Sequence, residues 1–256
     1  MGPAADLNAD MGESFGRWTL GNDEALMPHL TSANIACGYH GGDPHVMRAT
    51  VTLAQRHGVG IGAHVSFPDL MGFGRRRMTA SPEEVKDYII YQTGALWAFA
   101  RGAGARLQHV KPHGAMYVMA SSDDRYARAV AEAVAEVDPE MILLLTGEAV
   151  ANAAKAVGVR FVPEGYVDLD YAADGSLILE RAKKARDPQA TAARAVRLIR
   201  EGKVRAADGT DLPLSVRSIC VHGDAPNAPE IARAIRDALR AAEVDVVPLA
   251  QLVQRR

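Results

Sequence analysis

Length, composition and charge exclude several classes of protein. The chain has 256 residues, of which 48% are hydrophobic, so it can bury a large core, and we expect one domain spanning residues 1–256. Its 29 basic and 31 acidic residues nearly balance, and there is no long Lys/Arg run, so we do not expect nucleic acid as a partner. No apolar stretch approaches the ~20 residues that span a bilayer, so we do not expect a membrane partner either.

The cysteine content indicates the cellular compartment. The chain contains only Cys37 and Cys220, and no charged segment followed by an apolar stretch stands at its start. Disulfide frameworks and such leader segments are typical of exported proteins. We therefore expect a cytoplasmic protein in which both cysteines are small, buried apolar side chains rather than nucleophiles.

Seven short apolar runs alternate with helical patterns along the chain. This alternation predicts βα units around a parallel sheet. The runs are AADLNAD (4–10), SANIACGYH (32–40), GVGIGAH (58–64), RLQHVKPH (106–113), MILLLTGE (141–148), VRFVPEG (159–165) and RSICVHGD (217–224).

Local signals mark helix starts and one insertion. A capping residue followed by proline, in one case with a capping-box glutamate, predicts the start of a helix. This pattern occurs at Asp43-Pro44, at Ser81-Pro82 with Glu84, and at Asp187-Pro188. Residues 203–214, KVRAADGTDLPL, interrupt the alternation with an Asp-Gly turn and predict a hairpin before the last core strand.

Polar residues gather toward the end of each predicted strand, where parallel α/β folds build their sites. Residues two apart in a strand share a face. We expect the polar faces to point into a barrel mouth and the alternate residues, Leu7, Ile61, Ala63, Gln108, Val110, Ile219 and Val221, to point toward helices. The polar faces are Asp6/Asn8/Asp10, Gly60/Gly62/His64, His109/Lys111/His113 and Cys220/His222/Asp224.

The histidines divide into two groups. His29, His45 and His57 fall in predicted helices or loops, and we interpret them as structural. The other group ends four different strands, and its convergence predicts a reaction centre or an ion site. Its members are His40, His64, His113 and His222.

Each acidic candidate near these strand ends has two interpretations. Asp10 and Glu13 are either site carboxylates or ordinary charges of a loop or a helix start. Asp6 and Asn8 either serve the site or form a buried polar network that ties the barrel together. Asp43 is expected to cap a helix.

The basic candidates are one lysine and one arginine-containing loop. Lys111, between two histidines on one strand face, must find a carboxylate in an internal salt bridge or an anionic ligand. The segment GFGRRR (72–77) is either a solvated loop or a site where Arg75 and Arg76 bind a carboxylate or phosphate through bidentate contacts.

Six ordered blocks of this sequence closely resemble the LamB/YcsF family, from about residue 6 to residue 251. The blocks are DLNADMGESFG, SANIACGYHGGDP, IGAH followed by FPD, GFGRR, HVKPHGAMY and ICVHGDAPNA. The resemblance implies an α/β fold, an irregular seven-stranded (β/α) barrel of the glycoside hydrolase/deacetylase type. It also implies hydrolysis of the 5-oxo-L-proline lactam to L-glutamate, coupled to ATP hydrolysis, in a complex with two further 5-oxoprolinase subunits of the B and C type.

On this basis we assign expected roles to twelve residues. The catalytic candidates are Asp10 or Glu13 as the base toward water, Lys111 at the developing oxyanion, and His113 or His222 for proton delivery. Asp168 and Asp224 would orient the cations of the site. The substrate-binding candidates are Asn8, His40, His64, Arg75, Arg76, Asp168 and Asp224.

The sequence departs from the family pattern at two places. Leu169 stands in YVDLDY where members often have an arginine. If that arginine holds the substrate carboxylate, this protein either uses Arg75 or Arg76 instead or acts on another substrate. Val65 and Ser66 follow His64 where Pro-Gly is common, which indicates a different local loop.

Cofactor use and the class of reaction leave alternatives open. No G-x-x-x-x-G-K-[ST] loop is present, and RGAGAR (101–106) lacks the required lysine and hydroxyl, so we expect ATP to be handled together with the partner subunits. The sequence does not decide whether a divalent metal binds. One alternative is a metal-dependent deacetylase or amidohydrolase with strand-end ligands. The other is a noncatalytic subunit that binds a small acid.

Overall fold

A computed structural model describes residues 2–178 and 183–255 of the chain. Within these residues the strands are β1 Ala4–Met11, β2 Ser32–Ala36, β3 Gly60–Val65, β4 Leu107–Pro112, β5 Ile142–Leu145, β6 Arg160–Tyr166, β7 Asp170–Tyr171, β8 Leu177–Ile178, β9 Lys203–Arg205, β10 Asp211–Pro213, β11 Ser218–His222 and β12 Asp245–Val246. The helices are α1 Asp23–Leu26, α2 Pro44–His57, α3 Pro82–Gly102, α4 Gly114–Ser122, α5 Asp124–Val137, α6 Glu148–Val157, α7 Pro188–Glu201, α8 Ala228–Ala241 and α9 Leu249–Leu252, and a 3-10 turn covers Met27–His29.

Seven of these strands form a closed parallel barrel. Strands β1 to β6 pair consecutively, β11 pairs with β6, and a parallel β1–β11 pairing closes the ring. Each of the seven apolar runs of the sequence overlaps one barrel strand. Because all seven strands run in one direction, their carboxyl ends open on one mouth, where a site is expected.

The predicted helix starts are confirmed by their caps. The Asp43 side chain accepts hydrogen bonds from the backbone N–H groups of His45 and Val46 at the start of α2. Ser81 and Glu84 form the expected reciprocal capping box of α3, and Asp187 caps α7. These side chains satisfy backbone donors that have no partner inside the helix.

Three short strand pairings lie outside the seven-stranded ring. β9 and β10 pair antiparallel and form the hairpin predicted within residues 203–214. β7 and β8 form a second hairpin, which the sequence did not predict, directly after β6. β12 pairs in parallel with the start of β1, outside the ring of seven.

The alternation of side chains along β1 follows the prediction. Leu7 and Ala9 are fully buried in the apolar core that the barrel shares with its helices. Asp6 accepts hydrogen bonds from the hydroxyls of Thr31, Ser32 and Ser218, at 2.8, 2.5 and 2.5 Å. These hydroxyls come from the two strands on either side of β1 and the residue before β2, so Asp6 belongs to a buried network that ties the barrel together.

The predicted outward orientation of Gln108 is wrong. A register shift lies between Ile61 and Gly62 of β3, opposite β4, where Ile61 pairs with Leu107 and Gly62 with His109. The bulge turns Gln108 inward, so that its amide donates to Ser32 Oγ at 2.9 Å. A side chain at Gly60 would collide with it, because a Cβ there would lie 1.9 Å from Gln108 Nε2.

The C-terminal helix covers the end of the barrel opposite the mouth. Leu249 and Leu252 of α9 form an apolar cluster with Ile142, Leu144 and Val162, the inward side chains at the starts of β5 and β6. This plug keeps water from the lower barrel and leaves the mouth as the open end.

Both cysteines are buried, as expected. Burial raises the pKa of the Cys37 thiol to about 12, and its Sγ lies 3.1 Å from the carbonyl oxygen of Ile35. A thiol with such a pKa is not a nucleophile at neutral pH.

Within the described residues, no helix combines the length and the apolar character required to cross a membrane.

The buried Asp6 carboxyl predicts a pH dependence of stability. Burial, only partly offset by its hydroxyl donors, raises the pKa of Asp6 from 3.8 to about 6. The folded state therefore holds this proton more tightly than the unfolded state, and the associated stability, roughly 3 kcal/mol, is present below about pH 4 and is lost as the pH rises through 6. Asp6→Asn should remove this loss, so urea unfolding at pH 4.5 to 7.5 should show the variant gaining stability relative to the wild type as pH rises. Parallel curves would contradict the assignment.

Candidate active site

A pocket opens at the mouth of the barrel, over the carboxyl ends of β1, β3, β4, β6 and β11. It contains six side chains to which the sequence assigned a site role: Asp10, His64, Arg75, Lys111, His113 and, at its rim, His222. The remaining lining residues are Pro112, Gly114, Tyr117, Val118, Tyr166, Leu169, Leu177 and Lys183.

Lys111 occupies the floor of this pocket and is 1% exposed. Its Nζ lies 2.9 Å from Asp10 Oδ1, 3.4 Å from Glu164 Oε2 and 3.0 Å from Cys220 Sγ. Burial alone would lower the pKa of Lys111, but the negative charges of Asp10 and Glu164 outweigh it and hold the pKa well above its usual value. Of the two interpretations of Lys111, the structure shows the internal salt bridge, and two carboxylates take part in it.

Asp10 is the carboxylate of the pocket floor. Burial would raise the pKa of Asp10, but the interactions with His64 and Lys111 together outweigh the effect of burial and hold this pKa well below its usual value. Asn34 donates to Asp10 Oδ1 at 2.9 Å, and His64 Nε2 lies 3.4 Å from Oδ2. Asp10 is therefore an ionised carboxylate in a fixed orientation.

Glu164 and Tyr166 are site residues that sequence reasoning missed. Glu164 is buried on β6, accepts a hydrogen bond from the Tyr166 hydroxyl at 3.1 Å and binds Lys111. The sequence did contain a signal for Glu164. Val162, Glu164 and Tyr166 are two residues apart along β6 and so share one face, like the polar residues of the other strands. Applying the period of two to residues 159–165 places Glu164 inside the barrel.

His222 and Asp168 form a second polar unit at the rim. Asp168 accepts hydrogen bonds from the His222 backbone N–H at 2.8 Å and from its ring Nδ1 at 3.0 Å. Burial would raise the pKa of Asp168, but the His222 ring and these hydrogen bonds lower it. With Nδ1 held by a carboxylate, Nε2 is the ring nitrogen left to exchange a proton with a ligand, and the His222 ring is stacked on Tyr166.

The GFGRR loop separates its arginines. Arg75 lines the pocket, lies 3.4 Å from Asp224 Oδ2, and places its guanidinium 5.0 Å from the centre of the Phe73 ring. The Arg76 side chain is 67% exposed and binds Asp69, with Nε 2.8 Å from Oδ1. Arg75 is thus placed to contact a ligand, whereas Arg76 belongs to the loop.

Two of the lining side chains, His64 and His113, lie together with Glu13 and His40 beside the pocket floor, and we call these four the histidine cluster. All four are buried, and one ligand-type atom of each lies within 4.8 Å of the others. Burial and the nearby Asp10 carboxylate raise the pKa of Glu13 well above its usual value. Burial and neighbouring histidines lower the pKa of His40 and of His113, so their rings are neutral.

Three other residues discussed in the sequence analysis lie around the pocket: Asn8, Leu169 and Ser66. Asn8 is fully buried one layer below the pocket, where its amide donates to Ser218 Oγ at 2.8 Å and accepts from Asn34 at 2.7 Å. Leu169, where the family often has arginine, is buried in the pocket wall. Ser66 exchanges two backbone hydrogen bonds of 2.9 Å with the Gln92 amide of α3.

The histidines interpreted as structural lie apart from the pocket. His45 and His57 belong to α2, and His29 ends the 3-10 turn.

Comparison with known proteins identifies the family. The model of the LamB/YcsF family matches residues 5–254. This chain belongs to the LamB/YcsF family. The A subunit of 5-oxoprolinase from Bordetella pertussis (strain Tohama I) is 50% identical over 242 residues, covering 93% of this chain and 96% of that protein. The A subunit of 5-oxoprolinase from Alkaliphilus metalliredigens (strain QYMF) is 48% identical over 252 residues, covering 97% and 98%.

One similar solved structure agrees with this assignment, and a more distant one shares only the fold. The lactam utilization protein from Thermus thermophilus is 44% identical, with a TM-score of 0.88, and the alignment covers 96% of this LamB/YcsF chain and all of that one. The peptidoglycan N-acetylglucosamine deacetylase Bc1960 is 11% identical with a TM-score of 0.50, covering 99% and 89%, and shares the fold alone. The expected seven-stranded (β/α) barrel of the deacetylase type is confirmed.

Removing the Lys111 charge should destabilise the protein strongly. Lys111→Met leaves Asp10 and Glu164 buried without their cation, and breaking a buried ion pair in this way costs about 3–5 kcal/mol. Urea unfolding at pH 7 measures the loss. Arg128→Met is the control, because its ion pair with Glu132 lies on an exposed helix face and is screened by solvent, so a much smaller change is expected. Equal losses in both variants would show that Lys111 is not held as described.

Proposed function

We propose that this chain is the A-type subunit of an ATP-dependent 5-oxoprolinase. In this proposal it hydrolyses 5-oxo-L-proline to L-glutamate together with two further subunits, of the B and C type. The observation that carries the proposal is the convergence of Asp10, Lys111 and the His222–Asp168 pair on one pocket of a barrel. Its relatives, named as A subunits of 5-oxoprolinase and as a lactam utilization protein, support the substrate class.

Opening a lactam requires attack by water on the carbonyl carbon, stabilisation of the resulting oxyanion and protonation of the leaving nitrogen. Asp10 is ionised and fixed at the pocket floor, so it can orient the water and accept its proton as the new C–O bond forms. Lys111 adds a permanent positive charge next to it, and this charge favours the oxyanion. The low dielectric of the buried floor strengthens both effects.

Proton delivery is best assigned to His222. Asp168 fixes its ring through Nδ1 and stabilises the imidazolium, so Nε2 can donate to the ring nitrogen of the substrate as the C–N bond breaks. His113 is less suitable, because Phe73 O and His64 engage its two ring nitrogens. Glu13 is bound to His40 and does not line the pocket, so Asp10 is favoured over it as the base.

The carboxylate of the substrate needs a cation at the rim of the pocket. Leu169 stands where the family often has arginine and offers only apolar contact. Arg75 lines the same pocket and presents a planar guanidinium suited to a bidentate contact with a carboxylate. We therefore assign recognition of the substrate carboxylate to Arg75.

The pocket lacks the features of a P-loop site for a nucleoside triphosphate. Lys111 is engaged by two carboxylates, and the sequence contains no phosphate-binding loop with its lysine and hydroxyl. In this proposal the γ-phosphoryl group of ATP is transferred to the amide oxygen in the complex with the partner subunits, which releases ADP. Attack by one water and cleavage of the C–N bond then leave an acyl phosphate, and a second water hydrolyses it to glutamate and inorganic phosphate. The pocket described here supplies the water, the charge and the proton.

Asp10→Asn and His222→Asn test the assigned roles in the complete complex. Each variant should lower kcat by about 10²–10⁴-fold, because each removes a proton-transfer group. The measurement is glutamate formed from 5-oxoproline and ATP by the chain combined with its two partner subunits. Arg128→Ala on the outer helix α5 should retain full turnover. Full turnover in a correctly folded Asp10 or His222 variant would remove that residue from the mechanism.

The same assay tests the substrate. Absence of glutamate in the complete mixture, with an active 5-oxoprolinase complex as positive control, would reject 5-oxoproline as the substrate. A rise in melting temperature with 5-oxoproline but without turnover would favour a noncatalytic binding subunit.

Arg75 and Arg76 form a matched pair for testing carboxylate recognition. Arg75→Ala should raise KM for 5-oxoproline by about 10–100-fold with a smaller effect on kcat, because a charge-assisted hydrogen-bonded contact contributes ~1.5–3 kcal/mol. Arg76→Ala should leave KM near the wild-type value, since Arg76 binds Asp69 in the loop. Equal KM values for both variants would reject Arg75 as the carboxylate ligand.

A further inference from the structure

The histidine cluster brings together one carboxylate and three imidazoles from four consecutive strand ends. Glu13 follows β1, His40 follows β2, His64 belongs to β3 and His113 follows β4. All four are at least nine-tenths buried, with relative exposures of 8%, 1%, 1% and 6%. Side chains of this kind rarely share a buried space without a cation or a dense set of hydrogen-bond donors.

Two of the imidazoles face each other through their ring nitrogens. His64 Nδ1 lies 3.0 Å from the carbonyl oxygen of Lys111, and His113 Nε2 lies 2.9 Å from that of Phe73. A carbonyl only accepts, so each of these nitrogens carries the ring hydrogen. With the hydrogens on these nitrogens, the other two ring nitrogens, His64 Nε2 and His113 Nδ1, face each other 2.9 Å apart. A nitrogen pair at this distance shares one bound cation, either a proton or a metal ion.

The spacing of the ligand atoms matches a small coordination sphere. Zinc bonds of ~2.0–2.1 Å in a tetrahedron place neighbouring ligand atoms about 3.3 Å apart. The observed separations are 2.9 Å for His64 Nε2 to His113 Nδ1, 3.1 Å for His40 Nε2 to Glu13 Oε1, and 3.6 Å for His113 Nδ1 to Glu13 Oε1. Three of the six separations are therefore near the tetrahedral value, and one ligand atom of each residue lies within 4.8 Å of the others.

The surroundings hold the rings in this orientation. The two backbone carbonyls fix the tautomers of His64 and His113, as carbonyls commonly do behind metal-bound histidines. His40 Nδ1 is buried and has no hydrogen-bond partner in the described part of the chain. Gly74, at φ +64°, closes over the rings where a Cβ would lie 2.9 Å from His113 Cδ2 and 3.0 Å from the His40 Cβ.

We propose that Glu13, His40, His64 and His113 bind one divalent transition-metal ion of the zinc class. Imidazole and carboxylate ligands in this combination suit zinc and its neighbours rather than calcium or magnesium. Asp10 Oδ2 lies 3.4 Å from His64 Nε2, so the ion would lie next to the pocket floor. The inference goes beyond the proposed reaction and does not depend on the substrate.

Metal binding by the wild-type chain is the primary test. The full-length chain is dialysed against a chelator, freed of the chelator and titrated with ZnCl₂, with bound metal measured by mass spectrometry and stability by thermal unfolding. We expect one zinc per chain and a higher melting temperature, because a ligand that binds the folded state stabilises it. Co²⁺ in its place should give the visible absorption of a four- or five-coordinate site with histidine ligands.

Variants locate the site. Glu13→Gln, His64→Asn and His113→Asn should each lose more zinc affinity than the roughly 10–100-fold typical of residues that only support metal ligands. His222→Asn is the matched control, since it changes a histidine at the same mouth but outside the cluster, and it should keep one zinc per chain. Circular dichroism checks that each variant is folded.

Three results would overturn the proposal. A wild-type chain that binds no zinc at micromolar concentration rejects it without any variant. Binding that persists in folded cluster variants places the ion elsewhere. Nuclear magnetic resonance that shows a protonated imidazolium at His64 or His113 in a chain that takes up no zinc would assign the shared position to a proton. Because none of these measurements uses turnover, their failure is distinct from failure of the 5-oxoprolinase assay.

Discussion

The ammonium group of Lys111, buried between two carboxylates, is the interaction on which the site depends. Lys111 stands on β4, Asp10 on β1 and Glu164 on β6, so the three charges meet only when the seven strands close into a barrel. An unpaired charge in this interior would cost several kcal/mol. The requirement for pairing therefore links closure of the barrel to the ionised state and fixed orientation of Asp10, which faces the pocket.

Below this ion pair, the barrel interior is apolar where Ile142, Leu144 and Val162 meet α9, and elsewhere it contains polar layers in place of the apolar layers typical of such folds. Asp6 and its hydroxyl donors form the lowest layer, and the amides of Asn8 and Asn34 with His109 form the next. Neighbouring layers are joined by hydrogen bonds. The Asn34 side-chain amide, for example, donates to both Asn8 Oδ1 and Asp10 Oδ1. The site is consequently supported by a hydrogen-bonded interior that leaves its charged groups little freedom to reorient.

Residues of similar chemistry have different roles because the loops at the mouth place them in different surroundings. Arg75 and Arg76 are adjacent in the chain, but one lines the pocket and the other binds Asp69. The same loop brings the Phe73 carbonyl to His113 and so decides which of its ring nitrogens carries the hydrogen. His222 and His113 both lie at strand ends, yet it is His222 that is paired with a carboxylate at the rim through Nδ1.

The sequence by itself determined the order of the seven strands, the capped helix starts, the hairpin and the end of the barrel where a site lies, because these follow from local periodicity and from the alternation of faces. The faces that this alternation predicts for Leu7, Asp10 and Lys111 are confirmed. It failed at Gln108, where a bulge adds a residue and reverses the face, and the inward position of Glu164 went unrecognised. Only the tertiary structure decided which carboxylates pair with Lys111, which arginine faces the pocket and which histidines meet, since these contacts join strands far apart in the chain and depend on distances of a few ångströms that no spacing in the sequence records.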